Sequence, residues 1–237
     1  EFRDVSYQIA GRTILSDINI RVEPGETLVL LGRSGSGKTT ALKMINGMLF
    51  PTSGKVLVDD KPTTEWDPIR LRRHIGYVIQ EVGLFPHFSV HDNVGLVPTL
   101  EGWPPADIDR RVDLLLDRVG MPAAEFRSRF PRQLSGGQRQ RVGVARALAA
   151  DPPVLLFDEP FGALDPVTRV ELQQQFLALQ RDFQKTSVFV THDVREAIHL
   201  GSKIALLAGG KLDTVAAPQE FRSAVTPEAR AFLACLT

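Results

Sequence analysis

Apolar residues fall in short blocks, and the spacing changes from block to block. Ile18, Ile20 and Val22 alternate with polar residues, the period of a half-buried strand. With a turn at Gly11-Arg12 and another at Pro24-Gly25, residues 1–22 read as paired strands. Thr27-Leu28-Val29-Leu30-Leu31, Val154-Leu155-Leu156-Phe157 and Ser187-Val188-Phe189-Val190-Thr191 are continuous apolar runs, as strands covered on both faces of a parallel sheet require. Ile75 to Ile79 is a further strand, and Lys55 to Asp60 a short one after the break at Pro51-Thr52-Ser53-Gly54.

Helical spacing fills the intervals. It predicts a helix from near Lys38 to Gly47, a short basic one over Pro68 to His74, and one over Pro166 to Phe183. Ile108, Val112, Leu115, Leu116 and Val119 share one helix face, which predicts a helix from Pro105 to Val119 that Gly120 ends. Another opens at Leu134-Ser135-Gly136-Gly137-Gln138 and runs to about Ala150, before Pro152-Pro153. A hairpin is expected at Gly209-Gly210, with short helices after it. From Gly83 to Pro131 the prolines at 86, 98, 104, 105, 122 and 131 punctuate short segments, the texture of a mostly helical insertion. The expectation is an α/β fold: residues 1–82 and 151–237 as the core with its β subdomain, and 83–150 as an inserted helical subdomain.

The first buried strand runs into Gly32-Arg33-Ser34-Gly35-Ser36-Gly37-Lys38-Thr39-Thr40 and then into a helix. Strand, glycine-rich loop and helix is the setting that a G-x-x-x-x-G-K-[ST] match requires. Glycines at 32, 35 and 37 let successive N–H groups turn inward on phosphate oxygens. The helix adds the positive end of its dipole. Lys38 brings a mobile charge to the outer phosphates, and the Thr39 hydroxyl can ligate Mg²⁺.

Composition narrows the class. Basic and acidic residues number 28 each, so the formal charge is zero, which argues against a nucleic-acid binder held by a net basic field. The single cysteine, Cys235, allows no intrachain disulfide and no cysteine-rich metal site, and suits a reducing cytosol. No apolar run reaches the roughly 18 residues of a membrane span, so a membrane role is expected to come through a partner. One large domain with an inserted subdomain suits 237 residues, with no internal repeat.

A second site stands at the end of the run 154–157. Asp158 there can hold Mg²⁺, and Glu159 is a neighbouring carboxylate able to take a proton from an attacking water. Leu134 to Gln138 precede this pair by about 20 residues. On the phosphate loop, these five residues and the acidic pair, essentially the whole chain resembles the ATP-binding cassette (ABC) ATPase family. The resemblance implies a P-loop NTPase core with a mostly parallel sheet, an N-terminal antiparallel β subdomain and the helical insertion, together one nucleotide-binding domain over residues 1–237. It implies ATP and Mg²⁺ as cofactors. Gln80 then matches the Q-loop glutamine, touching Mg²⁺ or the lytic water. Asp158 matches the Walker B aspartate, Glu159 the catalytic glutamate, and Gly162-Ala163-Leu164-Asp165 the D-loop. His192 matches the switch histidine on the γ-phosphate.

Ser135 is a good N-cap, so Gly136 and Gly137 would present N–H groups at a second positive helix end. The resemblance gives that second anion site a use, because two cassettes pair head to tail and Ser135, Gly136, Gly137 and Gln138 close on the partner's ATP. The family usually stacks an aromatic residue on adenine. Counting back from Gly11 puts that position at Ile9, while Tyr7 is the nearest aromatic, so either Tyr7 or Ile9 makes the base contact.

Tyr77 to His87, Asp92-Asn93-Val94, Val97-Pro98 and Gly102-Trp103 resemble the importers of quaternary amines such as glycine betaine and choline. Polar amino-acid importers share part of this texture. The resemblance implies a homodimer lying peripherally on the cytoplasmic face of the plasma (inner) membrane, bound to permease subunits, with a separate solute-binding protein and no nucleic acid. Residues 85–97 match the place where the family docks the permease's coupling helix, and Leu84, Phe85 and Phe88 would suit a groove for it. Many betaine-type ATPases add paired regulatory domains after the cassette, and none falls within residues 1–237. A soluble cassette ATPase acting in DNA repair or on ribosomes is the competing class. Against it stand the neutral charge, the single cassette and the lack of a coiled-coil insertion between Gln80 and the signature.

Overall fold

The paired strands of residues 1–22 are β1 (Phe2–Ile9) and β2 (Arg12–Ile20), antiparallel about Ala10 and Gly11. β3 (Thr27–Leu31) is buried at all five positions and leads through the glycine loop into α1 (Lys38–Ile45). β4 (Ser53–Val58), β5 (Lys61–Pro62) and α2 (Pro68–Arg73) follow. Next come β6 (Ile75–Val78), α3 (Val90–Leu100), α4 (Pro105–Arg118), α5 (Ala123–Phe126) and α6 (Gly136–Leu148). β7 (Val154–Asp158), α7 (Pro166–Phe183), β8 (Thr186–Thr191) and α8 (Val194–Leu200) lead to β9 (Lys203–Ala208), β10 (Lys211–Ala216), α9 (Pro218–Phe221) and α10 (Pro227–Leu233).

This is a computed structural model, and it describes residues 1–80, 83–162 and 164–236. Glu81 and Val82 of the importer-like segment, Ala163 of the D-loop match and Thr237 lie outside the described residues. The chain forms two compact units, residues 1–72 with 186–237, and residues 73–185.

In the first unit, β2, β1, β4 and β5 make an antiparallel sheet in that order. β3 lies between β8 and β9, parallel to both, and β10 closes the edge antiparallel to β9. The register pairs Leu31 with Thr191, so β3 and β8 end side by side. The predicted hairpin turn is there: Gly209 and Gly210 have φ of 56° and 79°, positive at both positions as a two-residue hairpin turn demands.

In the second unit β6 and β7 run parallel, with Val78 opposite Phe157. α4 buries Ile108, Val112, Leu115 and Leu116, the stripe read from the sequence. The prolines divide this region less than expected, since α3 continues through Pro98 for 11 residues. Ser89 and Asp92 form a capping box at its start, and Val90, Asn93, Val94 and Pro98 make a buried stripe. Proline removes one N–H bond near the helix end, and burial of the stripe offsets that loss. Among the described residues no helix is long and apolar enough to cross a membrane.

Candidate nucleotide site

In the first unit the glycine loop is a cradle without side chains at its tightest points. A Cβ on Gly32 would lie 2.4 Å from the Leu207 carbonyl oxygen and 2.6 Å from the Ser36 hydroxyl. Gly37 takes φ 102°, and a Cβ there would meet Leu15 at 2.5 Å. Gly37 is also the N-cap of α1, and no side chain caps this helix. Lys38 is buried and folds back over the loop, donating to the Gly32 carbonyl at 2.7 Å and the Arg33 carbonyl at 2.9 Å. The Ser36 hydroxyl is buried with no hydrogen-bond partner. An unpaired buried hydroxyl in a loop that admits no Cβ at Gly32 or Gly37 fits a ligand rich in acceptor oxygens, as a phosphate chain is.

Arg33, Ser34 and Gly35 stand at the exposed crest of the loop, and Thr39 and Thr40 are half-buried in α1. The Arg33 guanidinium pairs with Glu228 of α10 at 2.7 Å. His192 follows Thr191 directly, so the register of β3 with β8 puts it beside the start of the loop. Its residue is exposed. From α8, Arg195 donates to the Cys235 carbonyl at 2.8 Å, which ties the helix after His192 to the last residues. Of the two candidates for the base contact, Tyr7 is half-buried, whereas Ile9 is 56% exposed, an apolar surface open to a flat partner.

In the second unit the parallel pairing of β6 with β7 brings Gln80 and the acidic pair to neighbouring strand ends. The Tyr77 hydroxyl, half-buried on β6, donates to Asp158 at 3.4 Å. Burial pushes that phenol's pKa up, and the Asp158 charge adds to the shift, so Tyr77 stays a donor. A Cβ placed on Gly162 would lie 3.8 Å from both the Gln80 amide nitrogen and a Glu159 carboxylate oxygen, so the two side chains flank one spot. Glu159 has φ 45°, a strained conformation for a side-chain-bearing residue and one that often marks a working position.

Ser135 caps α6 as the sequence implies. Its hydroxyl accepts from the Gln138 N–H, and the Gln138 side chain accepts from the Ser135 N–H. Gly136 is exposed, with nothing within 4 Å of the point a Cβ would occupy, whereas Gly137 packs on Thr168. Asp165 serves as N-cap of α7, accepting from the Val167 and Thr168 N–H groups, and hydrogen bonding from the Thr168 side chain first, then from these N–H groups, holds its carboxyl below the ordinary value.

Sequence reasoning missed the fully buried Asn93. Its amide oxygen accepts from the Phe85 N–H, and its amide nitrogen donates to the Phe85, Phe88 and Ser89 carbonyls. It thereby shapes the loop where the rings of Phe85, His87 and Phe88 pack at 4.6–6.1 Å. Phe85 is exposed there, and Leu84 and Phe88 are half-buried. In the sequence Asp92-Asn93-Val94 carries only its resemblance to importers, and the signal for this role is a polar residue on the apolar face of α3. Tyr77 opens the importer-like stretch, but nothing in that stretch points to its bond with Asp158.

A glycine-loop cradle between a buried strand and a helix in the first unit, and an acidic pair at the end of β7 in the second, are the parts of a P-loop nucleotide-binding protein. The ABC transporter family model matches residues 15–162, and the chain belongs to that family. It is 49% identical over 206 residues to the osmoprotectant import ATP-binding protein OsmV of Salmonella typhimurium, which covers 87% of this chain and 54% of the relative. It is 49% identical over 210 residues to the glycine betaine/carnitine/choline transport ATP-binding protein OpuCA of Bacillus subtilis, covering 89% and 55%. The chain thus spans about half the length of these curated relatives. Among solved structures it resembles cbiO1 of Clostridium perfringens, part of the ABC transporter complex cbiONQ, at TM-score 0.86 and 30% identity, covering 94% of this chain and 89% of that one. It also resembles the ATP-binding cassette MJ0796, dimeric and bound to ADP and Pi, at TM-score 0.80 and 33% identity over 92% and 97% of the two chains.

Proposed function

We propose that this chain hydrolyses ATP as the nucleotide-binding domain of an importer for osmoprotectant quaternary amines. The observation that carries the ATPase reading is the glycine cradle with its buried, unpartnered Ser36 hydroxyl. The solute class rests on the names of the relatives at 46–49% identity, which include osmoprotectant, glycine betaine, choline and carnitine systems.

In this reading the loop 32–40 holds the phosphates through backbone N–H groups, and Lys38 turns from its loop carbonyls to the outer phosphates. Thr39, Gln80 and Asp158 hold Mg²⁺, which when bound neutralises charge on the phosphate oxygens. Tyr77 orients the Asp158 carboxylate. Glu159 takes the proton from the attacking water, and His192 hydrogen-bonds the γ-phosphate. Ile9 or Tyr7 covers the base. Ser135, Gly136, Gly137 and Gln138 present a capped helix start to the ATP of a second copy paired head to tail, with Asp165 capping α7, whose Thr168 packs on Gly137. The dimeric MJ0796 cassette supports this arrangement.

Permease subunits dock on the aromatic loop about Phe85, a separate protein delivers the solute, and the pair lies on the cytoplasmic face of the membrane. Co-purification with the permease, and ATP turnover raised by solute-loaded binding protein in the reconstituted complex, test this part. For the chemistry, Glu159→Gln is expected to bind ATP normally, lose turnover by about 10²–10⁴-fold and accumulate an ATP-bound dimer. Near-normal turnover in that variant removes Glu159 from the role of base.

A further inference from the structure

Hydrogen bonds among the residues on either side of His192, marked by no motif, tie down the turn that carries it. The Thr191 hydroxyl accepts from the Asp193 N–H at 3.0 Å, which closes a tight turn with His192 at its centre. The Asp193 carboxylate accepts from the Arg195 N–H at 2.8 Å and starts α8. From the first turn of α8, Glu196 reaches back and accepts the Thr191 hydroxyl proton at 2.6 Å. Thr191 is 2% exposed and Glu196 6% exposed. The hydroxyl therefore acts as acceptor on one side and donor on the other, and its rotor is fixed.

A buried carboxylate at a helix position that an apolar residue could fill is costly unless its bonds serve a purpose. Here the bond joins the end of β8 to α8 across only two residues, His192 and the N-cap Asp193. β8 in turn is in register with β3 at Leu31, immediately before Gly32. These bonds thus fix the backbone of His192 relative to the phosphate loop.

We propose that Glu196 is a positioning residue for His192, acting through the Thr191 hydroxyl. The inference rests on the reading of His192 as the γ-phosphate contact, and the experiment separates the two. Thr191→Val keeps the shape of the side chain and removes the hydroxyl, whereas Thr191→Ser keeps the hydroxyl. Glu196→Leu removes the other end of the bond and guards against a folding defect peculiar to position 191.

The direct readout is the ¹⁵N–¹H spectrum of the His192 ring in the nucleotide-free protein. One narrow, defined ring signal is expected in the parent chain and in Thr191→Ser, and a shifted or averaged one in Thr191→Val and Glu196→Leu. The functional readout is ATP turnover. Thr191→Val is expected to lower kcat by about tenfold with KM within about twofold, because a small misplacement acts on the transition state. Thr191→Ser restores the rate, and in a His192→Ala background Thr191→Val costs nothing further. An unmoved His192 signal in both Thr191→Val and Glu196→Leu overturns the positioning role. So does an equal loss of rate with and without His192. Full turnover in His192→Ala with the ring signal still shifted by Thr191→Val overturns the γ-phosphate reading alone and leaves the positioning role standing.

Discussion

The phosphate loop of the first unit and the aromatic loop of the second are each folded round one buried polar side chain, and the two differ in what they can give up. Lys38 holds the Gly32 and Arg33 carbonyls with a charged group. Phosphate oxygens are better partners for that charge, so the bonds are provisional. Asn93 holds the Phe85 N–H and the carbonyls of Phe85, Phe88 and Ser89 with a neutral amide whose capacity is filled. Nothing that docks on the exposed Phe85 ring needs to disturb it. On the proposed function, the first loop rearranges around its ligand and the second presents a fixed surface, and both halves of that contrast can be tested.

The largest effect expected from this contrast is on nucleotide affinity. Lys38→Ala removes charge-assisted bonds to phosphate worth about 1.5–3 kcal/mol each, so Kd for ATP should rise by about 100-fold. Its thermal stability should change little, because losing two carbonyl contacts also removes a buried charge. Titration calorimetry beside a melting curve reads both, and unchanged affinity would break the comparison.

Asn93→Ala should show the reverse. Buried backbone groups left unpaired cost about 1–3 kcal/mol, read as a loss of stability in urea, with ATP affinity unaltered and permease-coupled turnover reduced. Loss of ATP binding in that variant would mean that the aromatic loop is not independent of the nucleotide.

The smallest effect sharpens which acidic groups are structural. Asp165 is held below its ordinary pKa of about 3.9 by the start of α7. It therefore stabilises the fold above that pH, and the contribution is lost as pH falls through the lowered value. Asp165→Asn should flatten the fall of Tm between about pH 5 and about pH 2. An unchanged acid profile would assign the stability to other carboxylates.

The same contrast explains what could be read from residues alone. The glycine loop was legible because local chemistry dictates it: no side chain fits at 32 or 37, and a lysine must follow. α7 was legible to the residue, since Asp165 caps it, Pro166 opens it and Phe183 ends its apolar face. The family followed from motifs of this local kind. Asn93, Tyr77, Thr191 and Glu196 act across 4 to 81 positions of sequence, through geometry that only the folded chain supplies. The run of α3 through Pro98 was hidden for a similar reason, because buried packing outweighed the local preference.

The tie between the last residues and α8 has a practical side. Cys235, whose carbonyl receives Arg195, bears the sequence's one thiol, and it is exposed. A fluorophore or spin label attached to it therefore lands at a single defined address, one bond away from the helix that carries on from His192. Labelled in this way, the chain without substitutions would report on the turn at His192 during stopped-flow mixing with nucleotide.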